Sequence, residues 1–204
     1  DFKALSGRFG LDYKVNNDVL LYASYSRGYR AGAINGGGYL SPAQIDFVAP
    51  EKVDAFEVGL KSDLLDRRLR LNLAGFYYNY KNQQLQEVIG AVALLRSAPK
   101  AKILGFEAEM TALLSDNFKI NSTLGILDTK YEGLALSGIN LNGNRLPFAP
   151  KLTWSGGADW TVANTGAGKV VLNGNFSYAS QQWFSPFNEK PSYVGDAITN
   201  VRQQ

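Results

Sequence analysis

The sequence predicts an all-β fold, an antiparallel up-and-down β-barrel that crosses a membrane in the manner of outer-membrane proteins. Three observations support this prediction. Apolar and polar residues alternate over runs of about ten or more residues, against roughly five or six in an ordinary strand. Short turns recur about fifty residues apart, with long loops between them. No apolar run approaches the roughly twenty residues of a membrane helix, so only a closed barrel could span a bilayer.

The alternation is clearest in residues 51–82, EKVDAFEVGLKSDLLDRRLRLNLAGFYYNYKN, where two arms meet at the turn Asp66-Arg67-Arg68. In the second arm, alternate residues are mostly apolar and lie on one face of the strand. They are Leu69, Leu71, Leu73, Gly75 and Tyr77. Arg70, Asn72 and Ala74 fall on the opposite face. We therefore expect Leu71 to face lipid and Asn72 to face the lumen.

Further strands are predicted on either side of these arms, at 8–15, 19–29, 104–112, 118–126, 152–162 and 170–178, with a last one from Tyr193. The total is about nine strands. Residues 30–50, 132–150 and 179–192 have the composition of long loops, of which 132–150 is polar. Residues 82–100 could extend strands beyond the membrane or fold into a loop, and we interpret them as a loop with strand character. Interfacial aromatic girdles are expected to include Tyr13, Tyr25, Tyr77, Trp154, Trp160, Phe176 and Tyr178.

Composition excludes several classes of protein. The chain of 204 residues has neither cysteine nor histidine, which removes thiol nucleophiles, Cys-based metal sites and His-dependent triads, and we predict no enzyme, metal or cofactor. The net charge of +3 is too small to indicate nucleic-acid binding. No signal peptide begins at Asp1, so we expect a mature protein or an internal piece.

The connections have a regular asymmetry. Short turns are centred near residues 17, 66, 116 and 166, and all seven prolines lie in or beside the long loops. Because consecutive antiparallel strands reverse direction, the short turns share one end of the sheet and the long loops share the other. Outer-membrane barrels have this arrangement, with the long loops outside the cell. Kelch-type propellers also repeat near fifty residues, but each of their blades needs four short strands rather than two long ones.

Four phrases of the sequence resemble a known family. They are LYASYSRGYR at 21–30, PEKVDAFEVGLK at 50–61, GFEAE at 105–109 and GNRLPFAPK at 143–151. Their order and spacing along nearly the whole chain are similar to the carboxy-terminal part of the barrel of TonB-dependent outer-membrane receptors. Such receptors have large barrels with a plug in the lumen. This chain has neither plug nor energy-coupling box and lacks a terminal aromatic strand, so we interpret residues 1–204 as a portion of that barrel.

The resemblance implies a function and a location. It implies import of a scarce, bulky nutrient, such as a ferric siderophore, across the outer membrane of a Gram-negative bacterium with TonB-coupled energy. The implied partners are outer-membrane lipid and lipopolysaccharide, a plug domain in the lumen, the TonB complex through an absent amino-terminal region, and the small-molecule nutrient. A passive outer-membrane porin is the main alternative, because the barrel pattern does not by itself require a plug.

Candidate ligand-binding residues are aromatic or cationic and lie at the loop end: Tyr29, Arg30, Tyr39, Arg96, Arg145 and Trp183. A solvated loop or contact with lipopolysaccharide would explain any one of them as well. Glu57, Glu107 and Glu109 are expected to line the lumen. We expect these carboxylates to pair with Lys61, with neighbouring basic residues or with the plug, rather than to act in catalysis.

Overall fold

The protein is described by a computed structural model, which covers residues 4–35, 47–89 and 92–189 and the backbone of 193–194 and 197–198. These residues form strands, turns and loops without any helix. The longer strands are β1 Gly7–Lys14, β2 Val19–Arg30, β5 Glu51–Leu64, β6 Leu69–Ile89, β7 Val92–Ser115, β8 Phe118–Glu132, β11 Leu152–Thr165 and β12 Gly168–Ala179. Two-residue strands occupy the loops: β3 Ala33–Ile34, β4 Phe47–Val48, β9 Ala135–Leu136, β10 Ile139–Asn140, β13 Tyr193–Val194 and β14 Ala197–Ile198.

The long strands form one antiparallel sheet in the order β1-β2-β5-β6-β7-β8-β11-β12. Neighbours in the sheet are also neighbours in the chain, apart from the short loop strands, so the topology is up-and-down as predicted. The sheet is open, with β1 and β12 at its edges. It contains eight long strands rather than nine, because β13 pairs with β14 in a separate two-stranded unit and not with β12.

The two faces of the sheet follow the predicted alternation. Leu71 lies opposite Ser62 and Met110, whereas Asn72 lies opposite Lys61 and Glu109. The face of Leu71 is called the outward face here, because it is the apolar one; the other is the inner face. Aromatic pairs add to the outward face, with ring centroids 4.7 Å apart for Trp154 and Phe176, 5.0 Å for Tyr25 and Phe56, and 6.5 Å for Phe118 and Trp160.

The four short turns lie at one end of the sheet, at residues 15–18, 65–68, 116–117 and 166–167, as the sequence predicts. The turn after β5 has left-handed backbone at three consecutive residues, with φ of 54° at Leu65, 53° at Asp66 and 64° at Arg67. In the turn after β1, the side chain of Asn16 accepts a hydrogen bond from the backbone of Asp18 at 2.9 Å. The opposite end of the sheet carries the long connections.

The described residues between 83 and 100 belong to strands rather than to a loop. β6 and β7 are 21 and 24 residues long, and they continue pairing from Gln83 opposite Ala98 to Ile89 opposite Val92. Among the described residues, the sheet neighbours β5 and β8 stop pairing with this hairpin at Lys81 and Lys100. At about 3.3 Å per residue, the unflanked part extends roughly 20 Å past the rest of the sheet. We name residues 83–98 the projecting hairpin.

The buried core lies at the loop end and not along the sheet. It consists of Ala98, Ala101, Tyr131, Leu134, Leu136, Leu141, Leu146 and Ala149. Both faces of the sheet are otherwise open, and large apolar side chains remain exposed along the outward face. No helix among the described residues is long and apolar enough to cross a membrane.

Candidate functional site

Five of the six predicted ligand-binding residues belong to the loop end of the molecule. Tyr29 and Arg30 close β2, Arg96 lies on the projecting hairpin, Arg145 lies in the loop after β8, and Trp183 follows β12. Tyr39 falls outside the described residues. Arg30 is exposed, whereas the hydroxyl of Tyr29 is buried without a hydrogen-bond partner among the described atoms. The structure thus gives these residues different surroundings, although they share one end of the sheet.

Residues 133–150 form a packed loop, in contrast to the polar loop that the sequence predicts. Leu134 is 1% exposed and packs with Leu136, Leu141 and Leu146, which come from the same loop. β9 and β10 form a small hairpin inside it, and the Leu141 amide donates to the Leu134 carbonyl at 2.9 Å. The loop therefore has a fixed conformation, because its own leucines supply a core.

The same loop covers the free edge of β8. β11 pairs with β8 only up to Leu152 opposite Ile126, so the last residues of β8 have β7 on one side and no strand on the other. Their place is taken by the loop: the Tyr131 amide donates to the Asn144 carbonyl and the Gly143 amide to the Tyr131 carbonyl, each at 2.8 Å. An exposed strand edge is thereby paired within the chain.

Arg145 connects strand β8 to the loop that follows it. Its guanidinium donates to the carbonyls of Leu127 at 3.0 Å and Ala149 at 3.2 Å, and lies 3.6 Å from a carboxylate oxygen of Asp128. The side chain is 16% exposed, and its burial lowers the pKa of Arg145 from the ordinary value of an arginine. A guanidinium held in this way fixes the loop to β8 and has little freedom to turn toward a ligand.

Hydrogen bonds of two asparagine side chains also connect this loop to the segment after β12. The Arg145 amide donates to the side-chain oxygen of Asn188 at 2.6 Å, and the Asn188 side chain donates back to the Arg145 carbonyl at 2.9 Å. The Asn144 side chain donates to the carbonyls of Pro186 and Phe187 at 2.9 and 3.0 Å. Both asparagines imitate the hydrogen bonds of a backbone, and they join two loops that are far apart in sequence.

Arg96 is also engaged within the protein. Its guanidinium forms an ion pair at 2.8 Å with Glu87 across the projecting hairpin, and the Ser137 hydroxyl donates to the other Glu87 oxygen at 2.6 Å. Burial acts to raise the pKa of Glu87, but the hydrogen bonds from Ser137 and Arg96 outweigh it and hold the pKa below the usual glutamate value. Glu87 therefore stays ionised near neutral pH and ties the hairpin to the loop after β8.

Asn35 joins the first long loop to the same hairpin. Its side chain donates to the Leu95 carbonyl at 2.8 Å and accepts from the Leu95 amide at 2.6 Å. Asn35 is 3% exposed, so this pair of hydrogen bonds is shielded from water. Sequence reasoning missed Asn35, Glu87 and Asn188, because a single polar residue carries no periodic signal of the distant segment that it contacts.

A groove of about 520 Å³ lies beside β12 and includes two of the six predicted residues. Its lining combines the cations Arg145 and Lys151 with the aromatic rings of Tyr178 and Trp183. The backbone of Trp183 is fixed, since its carbonyl accepts from the Phe148 amide at 2.8 Å. Cations beside aromatic rings can bind an anionic or aromatic ligand.

The inner face carries the three predicted carboxylates. The Tyr22 hydroxyl donates to Glu57 at 2.7 Å, and Asn72 donates to Glu109 at 3.4 Å. Among the described residues, Lys61 forms no ion pair with these carboxylates, and its ammonium lies 5.6 Å above the Tyr22 ring. Pairing of the carboxylates with a plug stays a prediction. These groups, with Glu107, line a shallow pocket of about 260 Å³ in the wall of the sheet. The pocket is polar and suits a partner in the lumen.

Within the described ranges, no three acidic side chains come together as potential metal ligands.

The long alternating strands, the apolar outward face and the loops gathered at one end define an outer-membrane β-barrel, of which this sheet is a part.

Residues 1–199 match the model of the β-barrel of TonB-dependent receptor-like proteins, and the chain belongs to that family. Such proteins are transport receptors of the outer membrane of Gram-negative bacteria and not enzymes.

Curated relatives agree with this membership. The chain is 28% identical over 152 residues to the metal-pseudopaline receptor CntO of Pseudomonas aeruginosa, covering 73% of the chain and 20% of CntO. It is 25% identical over 201 residues to the probable TonB-dependent siderophore receptor PiuA of Acinetobacter baumannii, covering 91% of the chain and 26% of PiuA. The chain thus spans about a fifth to a quarter of the length of these relatives.

Solved structures have the same fold. The ferric yersiniabactin uptake receptor FyuA of Yersinia pestis aligns with a TM-score of 0.72 at 20% identity, over 90% of this chain and 27% of FyuA. The ferric preacinetobactin receptor BauA of Acinetobacter baumannii aligns with a TM-score of 0.69 at 20% identity, over 90% of this chain and 26% of BauA.

Proposed function

We propose that the complete protein imports a ferric siderophore, or a similarly bulky and scarce nutrient, across the outer membrane with energy delivered through TonB. The observation that carries the proposal is the interlocking of the loops at one end of the sheet. Asn35, Glu87 and Asn188 each join segments that are distant in sequence. Loops fixed in advance lose less conformational entropy when they bind a ligand.

Relatives support the class of ligand. CntO is a metal-pseudopaline receptor, PiuA a probable siderophore receptor and FyuA a ferric yersiniabactin uptake receptor. We assign Arg96 and Arg145 to bracing the loops, because each already donates to protein groups. Ligand contact is assigned to the remaining candidates, which are Tyr29, Arg30, Tyr39 and Trp183.

The proposal includes partners that lie outside this chain. A plug domain would fill the lumen and meet the inner-face pocket formed around Glu57, Glu107 and Glu109. TonB would engage a region amino-terminal to the plug. Carboxylates on a polar inner wall suit a plug surface that carries donors or cations, since charge complementarity fixes orientation.

Energy dependence is the decisive test of import. Cells carrying the full-length protein are given a labelled ferric siderophore, with and without an uncoupler, and arrival in the periplasm is scored separately from surface binding. Uncoupling should stop periplasmic arrival and leave surface binding intact. Arrival that follows the concentration gradient and is unchanged by the uncoupler would establish a passive channel instead.

Ligand contact is tested by Arg30→Gln, with Lys169→Gln as the matched control. Both residues are exposed cations, but Arg30 lies at the loop end and Lys169 near the opposite turn. A charge-assisted hydrogen bond contributes about 1.5 to 3 kcal/mol, so Arg30→Gln should weaken binding of the anionic siderophore by at least about tenfold. Equal affinities of the two variants for the siderophore would show that Arg30 does not contact it.

A further inference from the structure

The long connections at the loop end are joined to one another by side chains. Four of them belong to the described part of the chain: the connection after β2, the projecting hairpin, the loop after β8 and the segment after β12. Each is hydrogen-bonded to the next, by residues that are 60, 50 and 43 positions apart in the sequence. The joined pairs are Asn35 with Leu95, Glu87 with Ser137, and Asn188 with Arg145. We name these pairs the first, middle and last joints.

The outer joints are reciprocal, whereas the middle joint is a single hydrogen bond to a charged group. Asn35 and Asn188 each donate and accept through one side-chain amide. In the middle joint, the Ser137 hydroxyl donates to Glu87 at 2.6 Å, and Arg96 donates to the other oxygen of that carboxylate at 2.8 Å. The Glu87 side chain is 4% exposed. Hydrogen bonds to an ionised group are roughly twice as strong as neutral ones, so the one bond of the middle joint is comparable to the two of an outer joint.

Ser137 occupies a backbone position that other residues would fit better. β9 and β10 pair through Leu136 and Ile139, so Ser137 and Gly138 are the two residues of the turn between them. Both have left-handed backbone, with φ of 47° at Ser137 and 77° at Gly138. A two-residue turn of this kind favours Asn, Asp or Gly at its first position. The turn therefore does not explain a serine, whereas the hydrogen bond to Glu87 does.

The projecting hairpin also meets the loop after β8 at its base. Leu85 and Ala98 pack there against the core that contains Leu134. Glu87 lies further along the hairpin, where it is paired with Leu94 near the end of the ladder. The apolar contact thus fixes the base of the hairpin, and the middle joint fixes its outer part.

We propose that the four connections open and close as one unit, and that the hydrogen bond from Ser137 to Glu87 couples its two halves. The first half is the connection after β2 with the projecting hairpin, and the second is the loop after β8 with the segment after β12. A closed joint orders the segments on both sides of it, so the next joint closes with a smaller loss of conformational entropy. Opening at one end therefore weakens the joint at the other end, provided that the middle joint is present.

The coupling adds one property to the import proposed above, and this property alone rests on that proposal. A nutrient that contacts one half stabilises the closed form of both halves, because coupling between two sites is reciprocal. The unit itself is tested without any nutrient. A failure of the unit is therefore distinct from a failure of energised import.

The test is a double-mutant cycle read by amide hydrogen exchange of the full-length receptor in lipid, without ligand. Asn188→Ala opens the last joint, and its effect is read at the Leu95 amide, which donates to the Asn35 side chain in the first joint. Asn35→Ala opens the first joint, and its effect is read at the Arg145 amide, which donates to the Asn188 side chain in the last joint.

Each measurement is repeated with the middle joint removed by Ser137→Gly. Glycine adopts left-handed backbone without strain, so this change deletes the hydroxyl and preserves the turn. Asn142→Ala is the matched control. The Asn142 side chain accepts from the Gly133 amide at 2.9 Å, which is a bond inside the loop after β8 rather than between connections.

Coupling between distant positions corresponds to a change of about twofold to thirtyfold. We expect Asn188→Ala to accelerate exchange at the Leu95 amide at least about threefold. Because coupling is reciprocal, Asn35→Ala should accelerate exchange at the Arg145 amide by a similar factor.

Both distant effects should disappear in the Ser137→Gly background and persist in the Asn142→Ala background. The proposal is overturned if either effect is absent when Ser137 is present. It is also overturned if both effects survive Ser137→Gly, since the apolar base would then couple the halves. Loss of the coupling in Asn142→Ala overturns it as well, because the internal order of the loop would then be responsible.

Discussion

Truncating Leu134 to alanine should loosen the loop of residues 133–150 without unfolding the sheet. Leu134 is 1% exposed and lies in the core that this loop forms with β7 and β8. Buried Leu→Ala substitutions cost about 2.7 to 5 kcal/mol, and the cost rises with the cavity that remains. A loop can partly close over such a cavity, so we expect about 3 kcal/mol.

Amide hydrogen exchange of the full-length receptor in lipid measures this cost locally. A loss of about 3 kcal/mol corresponds to roughly a hundredfold faster opening. The reporters are the amides of Leu141 and Gly143, whose hydrogen bonds to Leu134 and Tyr131 close the loop. Ile139→Ala is the matched control, because Ile139 belongs to the same loop but is 50% exposed, and it should change exchange by less than about threefold. Unchanged exchange in Leu134→Ala, or equal acceleration in both variants, would refute the loop core.

Two further predictions concern the faces of the sheet. Leu71→Arg should destabilise the full barrel by about 2 to 4 kcal/mol in reversible unfolding from lipid, and Asn72→Arg much less, because only Leu71 faces lipid; similar costs at both positions would contradict the facing. Gly59→Ala should cost about 1 to 3 kcal/mol, because a Cβ there would lie 2.4 Å from the Tyr22 ring and 2.6 Å from a backbone oxygen. Gly75→Ala is the control, since a Cβ at Gly75 meets nothing within 4 Å, and equal stabilities of the two variants would count against the close packing at Gly59.

Three lysines of the outward face show what register adds to periodicity. Alternation along the sequence predicts that Lys52, Lys81 and Lys100 each occupy one face of a strand, but not that the three lie side by side. Their adjacency depends on the pairing of β5 with β6 and of β6 with β7. Pairing registers depend on the length and geometry of the turns between strands, which a single sequence constrains only loosely.

The fold class and most of the strands follow from the sequence alone. Period-2 alternation is a local property, so Leu71 and Asn72 could be assigned to opposite faces, and the four short turns could be located, without knowledge of any contact. The resemblance of the sequence phrases to TonB-dependent receptors also agrees with the family match over residues 1–199.

The contacts of the loops are seen in the folded chain and not in the sequence. The projecting hairpin and the leucine core of the loop after β8 arise from contacts between segments far apart in the chain, which leave no period in the sequence. Arg96 and Arg145 look alike in the sequence as candidate ligand-binding cations. In the folded chain, Arg96 pairs with Glu87, and Arg145 donates to one carbonyl of β8 and one of the loop after β8. A cation that leaves water must find its partners inside the protein.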